Sequence, residues 1–335
     1  MRIDEEDWEP LEAEHHPYGV VARRLYPRSQ HEIFLAVQQP SGRRVLLFRV
    51  PAAAAEAVAE RNPTVASTQG LALQFATAPD GSAELRVVLT ADDRREVFNP
   101  LIADVAMTAQ ATDGPVEALT AAIERFEHWR HLLQSLRDTG LGADARRGLF
   151  GELVVLRDHL LPVLSPQDAV SAWRGPTGAN QDFELPSCAI EVKTGAGRNP
   201  GSIVIASERQ LDETGTDHLL LAHLSVDERR SGSGQSLNDV VDSVKEMMAT
   251  APARAEFGDR LVRVGYLSEH RHLYDDARYT VRRTDFWHVN GDFPRIVEAD
   301  LRSGVGDCRY RISTVGLDQY GVSAERVACI IKGEA

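Results

Sequence analysis

The sequence predicts an α+β or α/β protein in which a core with a mixed β-sheet flanked by helices lies between N-terminal and C-terminal β-rich regions. Runs of β-suited residues dominate the first third of the chain, and helical periodicity follows them. Further along, hairpin, strand and helix patterns alternate, as in α/β architectures. We therefore expect four regions: an N-terminal β-rich domain at 1–98, a helical connector at 99–140, the core at 141–255 and a C-terminal β-rich extension at 256–335.

Length and composition indicate an ordinary globular protein, because 335 residues with 43% hydrophobic content can form buried cores. The three cysteines, Cys188, Cys308 and Cys329, are far apart and odd in number, which argues against a disulfide framework and against a zinc site. The N-terminus has no apolar signal core, and no run of about 18 apolar residues occurs. We expect a cytoplasmic protein with no membrane partner.

The charge pattern restricts how the chain could contact nucleic acid. A net charge of −13 argues against a protein that coats nucleic acid through a global positive field, so any such contact must be local. Of the 37 basic residues only Lys193, Lys245 and Lys332 are lysines. Lys193 is therefore of interest, because lysine is a compact cation that can donate to water or to one phosphate oxygen.

Residues 1–98 show no catalytic constellation. The β-suited runs lie at 18–26, 32–38, 43–50, 71–76 and 84–90, with an alanine-rich helix expected at 52–61. Two helices follow, separated by a Gly-Pro break at 114–115. His15 and His16, and the pair His128 and His131, could ligate a metal, but solvated surface histidines are the favoured interpretation.

A helix is expected from about Ala143 to Leu161, because leucines at 149, 153, 156 and 160 form one apolar stripe. Glu152 falls inside that stripe, where a carboxylate is costly unless it is paired or near a cation. An equally weighted alternative is that Glu152 reaches water or pairs with Arg147 or Arg157. Glycines at 148 and 151 would allow another backbone to approach closely.

The stretch from Asp182 to Lys193 predicts a β-hairpin that turns at Pro186 and Ser187. Side chains alternate along a strand, so Glu191 and Lys193 share one face. With that turn, Asp182 lies opposite Glu191, and a facing carboxylate pair requires a cation such as Mg²⁺. Another turn type would shift the register by one residue and break the pairing.

The segments around the hairpin complete the core. Loops at 175–180 and 195–201 are glycine-rich but lack the known phosphate-binding patterns, so we interpret them as connections. A strand at 202–206 leads to a helix capped by Ser207, with Gln210 in its first turn. A strand at 218–226 and a helix capped by Ser236 follow. Short β-suited runs in the C-terminal region lie at 261–267, 279–283, 286–289, 310–315 and 327–331.

The ordered set of helix Glu152, Asp182, and Glu191-Val-Lys193 on a strand resembles the PD-(D/E)XK nuclease superfamily, which has the restriction-endonuclease-like fold. Gly148-Leu-Phe-Gly-Glu152-Leu, with Asp182-Phe and Glu191-Val-Lys193-Thr, also resembles a bacterial branch of PD-(D/E)XK motif proteins that is often placed among phage-defence genes. The resemblance covers about residues 99–250 well. In one departure, Gln181 stands where the name-giving motif has proline.

The resemblance implies a role for each of these residues. Asp182 and Glu191 would bind Mg²⁺, for which Mn²⁺ can substitute, and Glu152 would orient that metal through water or help to hold a second ion. Lys193 would position the attacking water and help to deprotonate it. Gln210 is included because some superfamily members use a glutamine on the helix after the lysine strand.

The function that the resemblance implies is a metal-dependent DNA endonuclease acting in restriction or phage defence. Its partners would be nucleic acid, expected to be DNA, and either a second copy of the chain or proteins of a defence system. The alternative is a catalytically inactive module that binds nucleic acid or protein inside a defence complex. Another hydrolase class is disfavoured, because the sequence has no Gly-x-Ser-x-Gly and no His-Glu-x-x-His.

Overall fold

A computed structural model describes residues 2–60, 67–68, 70–136, 139–196 and 201–334 of the chain. The chain folds as two compact units, Met1–Arg137 and Asp138–Ala335. Within the described ranges, no helix combines the length and the apolar character needed to cross a membrane.

The first unit contains an antiparallel sheet whose strands are ordered β1-β2-β3-β6-β5-β4. Its strands are β1 Gly19–Leu25, β2 Glu32–Gln39, β3 Arg43–Val50, β4 Ser67–Thr68, β5 Leu71–Thr77 and β6 Ala83–Leu89. The middle of β3, from Arg44 to Phe48, is buried on both faces, as expected for a strand that is covered on each side. The β-suited runs expected in this part of the chain are confirmed.

Helices α1 Glu5–Ala13, α2 Ala52–Ala59, α3 Arg95–Gln110 and α4 Pro115–Leu136 complete the first unit. The sequence did not predict α1, whose Trp8 is buried and donates a 2.9 Å hydrogen bond to Asn99 Oδ1. The expected helix at 52–61 ends at Ala59, and residue 61 lies outside the described residues. Helix α3 begins four residues before the expected change of pattern at residue 99.

The second unit is built on a four-stranded sheet ordered β11-β10-β8-β7. Its strands are β7 Phe183–Glu184, β8 Ala189–Ala196, β9 Ser202–Ile205, β10 Leu219–Arg230, β11 Ala277–His288 and β12 Tyr310–Ser313. Strands β8 and β10 are parallel, whereas β7 and β11 pair antiparallel to their neighbours, so the sheet is mixed, as predicted. Strands β9 and β12 form a separate antiparallel pair.

Helices cover this sheet and give the α+β architecture that the sequence predicts. They are α5 Ala143–Val155, α6 Pro166–Ala172, α7 Leu237–Met247, α8 Ala251–Arg263 and α9 Ala324–Lys332. Helix α5 continues as a π-helical turn over Leu156–Leu160, in which Leu161 N donates to Leu156 O, so the expected helix from Ala143 to Leu161 is confirmed. The division of the chain into four regions at 98, 140 and 255 stays a prediction.

Two of the expected C-terminal β-runs are wrong, because they are helical. Residues 261–263 end helix α8, which Thr250 caps and whose Ala253, Phe257 and Leu261 face the core at helical spacing. Residues 327–331 lie in α9, which ends at Gly333 in the left-handed conformation. Apolar runs this short do not distinguish a strand from a helix without such capping signals.

The helix expected after Ser207 is only a 3₁₀ turn, Glu208–Leu211. The Ser207 hydroxyl accepts a 3.1 Å hydrogen bond from Arg209 N, so the predicted cap is formed. The chain leaves the turn at Asp212 in an extended conformation. The cap alone therefore identified where the helix begins but not how short it is.

Candidate active site

The hairpin that carries the site has the predicted register. Phe183 pairs with Ile190 and Glu184 with Ala189, and Leu185 N donates to Cys188 O at 2.8 Å across the turn. The alternative register shifted by one residue is therefore wrong. The ladder of β7 ends at Phe183, so Asp182 lies just beyond it, beside the β8 residues that carry the charged side chains.

Glu191 and Lys193 lie on the same face of β8 and form an ion pair, with Lys193 Nζ 2.6 Å from Glu191 Oε1. Glu191 is buried, and its Oε2 has no hydrogen-bond partner among the described residues. Lys193 Nζ also donates to Gln210 Oε1 at 2.9 Å. The lysine is thus held between a buried carboxylate and an amide oxygen.

Asp182 is fixed by its backbone and by its side chain. Its Oδ2 accepts a 2.7 Å hydrogen bond from Val192 N, between the two charged residues of β8. Its carbonyl oxygen accepts from Arg174 N at 2.7 Å and from Gly175 N at 3.0 Å. These contacts place the Asp182 carboxylate next to Glu191 and Lys193. The charge of Lys193 acts to lower the pKa of Asp182, and the charge of Asp182 raises the pKa of Glu191.

Glu152 reaches the same place from helix α5. Its Oε2 accepts a 2.8 Å hydrogen bond from the indole Nε1 of Trp173, a side chain with no exposed surface. The alternative that Glu152 pairs with an arginine of its own helix is wrong. Arg147 bonds to Asp144, Thr194 and Glu228, and Arg157 bonds to Asp158, Gln235 and Ser243.

Helix α5 can lie this close to β8 because residue 151 is glycine. A Cβ built on Gly151 would overlap the hydroxyl of Thr194 and lie 3.1 Å from its Cβ. The expected close approach is therefore confirmed at Gly151. It is not confirmed at Gly148, where a Cβ would meet nothing within 4 Å.

Gly175 leaves open a gap between two of the carboxylates. A Cβ built on it would lie 3.0 Å from Asp182 Oδ1 and 3.2 Å from Glu152 Oε2. Both oxygens therefore border the same small space, into which any larger residue at position 175 would project.

Burial disfavours the ionised forms of all three carboxyl groups, and repulsion between carboxylates adds to this effect at Glu152 and Glu191. Burial and, to a smaller extent, the neighbouring Asp182 raise the pKa of Glu152 to about 8, although the hydrogen bond from Trp173 and the charge of Lys193 oppose this. Burial likewise raises the pKa of Asp182 to about 6, although the N–H of Val192 and the charge of Lys193 oppose this. The pKa of Glu191 lies well above its ordinary value because of burial and Asp182. Such clustered, perturbed groups mark candidate functional sites.

The oxygen atoms fit a hard divalent cation such as Mg²⁺ or Mn²⁺. The donors are carboxylates, Glu191 Oε2 is buried without a partner among the described residues, and a cation would favour the ionised forms that burial disfavours in all three groups and that repulsion by Asp182 disfavours further in Glu152 and Glu191. Across the described ranges, however, no three His, Cys, Asp or Glu side chains already stand grouped to hold a metal. Glu191 Oε1 contacts Lys193, and Glu152 Oε2 contacts Trp173.

The expected residues Glu152, Asp182, Glu191, Lys193 and Gln210 are thus brought together in the second unit. Sequence reasoning missed Trp173 and Gly175, because the loop at 175–180 was interpreted only as a connection. One signal was available for Trp173. A tryptophan that is buried usually requires a partner for its indole N–H, and Glu152 was the inward-facing carboxylate in need of one.

A family model described as "Putative PD-(D/E)XK family member, (DUF4420)" matches residues 5–314. The matched range includes the five site residues and parts of both compact units. No curated protein and no solved structure matches the chain.

Proposed function

The chain belongs to this PD-(D/E)XK family, which indicates a nuclease-like function, and from that premise we propose that it is a Mg²⁺-dependent DNA endonuclease. Mn²⁺ would substitute for Mg²⁺. The biological role that fits is restriction or phage defence in the cytoplasm. The observation that carries the proposal is the contact set of Lys193, which lies 2.6 Å from Glu191 Oε1 and 2.9 Å from Gln210 Oε1, next to Asp182 and Glu152.

The proposed roles follow from the chemistry of phosphodiester hydrolysis. A bound divalent ion supplies a nucleophile at neutral pH and neutralises charge on the phosphate. Asp182 and Glu191 would hold that ion, because the charge of Asp182 disfavours ionisation of the buried Glu191 and a cation would offset this repulsion. Glu152 would orient the ion through water or share a second one across the gap at Gly175.

Lys193 would position the attacking water and help to remove its proton. It is suited to this role because its ammonium group is fixed by two acceptors and 19% of its side chain remains exposed. Gln210 would keep the ammonium in place, since its Oε1 also accepts a 2.8 Å hydrogen bond from Ala206 N and is not free to rotate.

The proposed substrate contact is local, because the net charge of −13 disfavours a broad positive surface. Arg174 and Arg209 are exposed side chains next to the segments that carry Gly175 and Gln210, so they could reach phosphates beside the site. Cutting both strands of a duplex calls for two such sites, which a homodimer or a defence-system partner would provide.

The test is incubation of supercoiled plasmid with the purified chain and Mg²⁺ or Mn²⁺. We expect nicking or linearisation that is abolished by EDTA and by Lys193→Ala. Lys332→Ala is the matched control, since it removes an exposed lysine of α9 and should leave cleavage unchanged. Full cleavage by Lys193→Ala would contradict the proposed mechanism.

A second candidate function is a catalytically inactive module that binds nucleic acid or protein. It is favoured by the contacts of Glu191 with Lys193 and of Glu152 with Trp173, which occupy carboxylate oxygens that a metal would need. Calorimetric titration with Mg²⁺ or Mn²⁺ separates the two functions. A nuclease should bind the ion and lose that binding in Asp182→Asn, whereas the inactive module should show no binding in either protein.

A further inference from the structure

Gln181 occupies the position where the PD-(D/E)XK motif has proline, and its side chain is directed to a specific place. The residue is 9% exposed and directly precedes Asp182. Its Nε2 donates a 2.9 Å hydrogen bond to Arg209 O, and Gln210 O and Asp212 O lie at 3.4 and 3.5 Å. Because carbonyl oxygens only accept, the amide nitrogen must face them.

The carbonyls that Gln181 contacts belong to the end of the 3₁₀ turn Glu208–Leu211. Arg209 O also accepts a 3.3 Å hydrogen bond from Asp212 N, and the amide of Gln181 adds a donor from outside the turn that fixes the position of the turn. The turn is short, and at its other end the side chain of Ser207 caps it. The amide of Gln181 therefore holds the end of the turn that is opposite its cap.

The side chain that this turn carries toward the site is Gln210. Its Oε1 accepts from Lys193 Nζ at 2.9 Å and from Ala206 N at 2.8 Å. A shift of the turn would move this oxygen away from the lysine, since the side chain is anchored at both ends. Contacts thus run without interruption from Gln181 through the backbone of residues 209–210 to Lys193.

We propose that Gln181 is a positioning residue that fixes the ammonium group of Lys193 through Gln210. A proline at this position has no side-chain donor and could not make the contact. The departure from the family motif is thereby explained as a substitution that ties the segment of Asp182, just before β7, to the turn that carries Gln210. The catalytic meaning of this contact rests on the proposed nuclease function, whereas the placement of Lys193 can be measured without it.

The scarcity of lysine makes that measurement direct. Protein grown with ¹³C-labelled lysine gives signals from Lys193, Lys245 and Lys332 alone, and Lys193→Arg identifies the first. We expect Gln181→Met and Gln210→Met each to shift the Lys193 signal and to leave the other two unchanged. Gln235→Met is the matched control, because that partly buried amide bonds to Arg157, and it should shift none of the three.

The signals of Lys245 and Lys332 also report whether each variant folds. If Gln181→Met does not fold, Gln181→Glu keeps the size of the side chain but presents a carboxylate oxygen to Arg209 O and should shift the Lys193 signal. A Lys193 signal that stays at its wild-type position in a folded Gln181 variant, while Gln210→Met moves it, overturns the proposal.

Cleavage kinetics give the second readout. Losing one hydrogen bond of ordinary strength should lower kcat of Gln181→Met about 3- to 10-fold with KM unchanged. In the Gln210→Met background the same substitution should lower kcat less than about 2-fold, because both changes act on one contact chain. Fully additive losses overturn the proposal. Wild-type protein that does not cleave contradicts the proposed function, and the lysine spectrum then still decides the position of Lys193.

Discussion

The indole Nε1 of Trp173 donates a 2.8 Å hydrogen bond to Glu152 Oε2, and this contact joins a fully buried aromatic side chain to the inward-facing carboxylate of helix α5. The residues that follow the tryptophan, Arg174 and Gly175, donate their backbone N–H groups to Asp182 O. One short segment therefore fixes two of the three carboxylates. Trp173 is itself held, because Arg260 donates to its carbonyl oxygen.

Trp173→Phe should weaken divalent-ion binding and cleavage, since it removes the only donor to Glu152 in the described part of the chain. Partners that orient a metal ligand typically contribute 10- to 100-fold, so we expect a loss of about tenfold in Mg²⁺ or Mn²⁺ affinity, measured by calorimetry.

Trp129→Phe provides the control for Trp173→Phe. Trp129 is equally buried and its Nε1 donates to Asp104 Oδ2 at 2.9 Å, but it lies in the first unit. It should lower the melting temperature without changing ion affinity. Equal affinity losses in the two variants would mean that the effect is one of general stability.

Gly175→Ala should reduce divalent-ion affinity without removing any charge. The added methyl group would lie 3.0 Å from Asp182 Oδ1 and 3.2 Å from Glu152 Oε2, in the space between them. Overpacking of this kind costs about 1–3 kcal/mol, equivalent to about 5- to 150-fold in affinity. Gly201→Ala, where a Cβ meets nothing within 4 Å, should bind the ion as the wild type does. Unchanged affinity in Gly175→Ala would show that no ion enters this gap.

Gly151→Ala and Gly148→Ala should change stability in opposite directions, although both lie on helix α5. A Cβ at Gly151 would overlap the Thr194 hydroxyl, so we expect a loss of about 1–3 kcal/mol in the free energy of unfolding. A Cβ at Gly148 meets nothing, and replacing a helical glycine by alanine should add about 0.5–1 kcal/mol. Urea denaturation measures both. Equal effects would contradict the close packing of α5 against β8.

The metal-free protein should lose stability as the pH rises from about 5 to about 8, through Glu152. In the unfolded chain this carboxyl has its ordinary pKa of 4.5, whereas burial raises its pKa in the folded protein to about 8. Below pH 4.5 both states are protonated. Above it the unfolded state releases the proton first, so the folded state is progressively disfavoured until its own group ionises.

Glu152→Gln isolates this pH effect, because the histidines and the other carboxyls titrate in both proteins. The free energy of unfolding of the wild type, minus that of Glu152→Gln, should fall by on the order of a few kcal/mol between pH 5 and pH 8 in EDTA. Saturating Mg²⁺ should reduce the fall, since a bound cation favours the ionised form. A difference that rises with pH would contradict the raised pKa.

Local pattern was enough to predict the hairpin and the charged face of β8. The Pro186-Ser187 turn fixed the register, and alternation along the strand placed Glu191 beside Lys193, as the 2.6 Å contact confirms. The apolar stripe offered an inward-facing Glu152 as one of two equally weighted interpretations, and the hydrogen bond from Trp173 favours it. These features depend on residues within about ten positions of one another, where turn chemistry and periodicity are informative.

The remaining features depend on contacts between distant segments. Trp173 lies 21 residues from Glu152 and Gln181 lies 28 from Arg209, and neither pairing leaves a periodic signal. The space beside Gly175 exists only once Glu152 and Asp182 meet there. The helices α8 and α9 were mistaken in part for strands because their short apolar runs suit both conformations.

The pairing of β9 with β12 has a consequence for the order of synthesis. Strand β9 connects Lys193 to the turn of Gln210, yet its partner, Tyr310–Ser313, is made more than a hundred residues later. Chains fold progressively as they leave the ribosome, so a nascent or prematurely terminated polypeptide that stops before residue 310 lacks this support. We therefore expect the lysine and its glutamine to reach their final positions only after Tyr310–Ser313 has been translated, so that polypeptides which stop earlier would lack an assembled site.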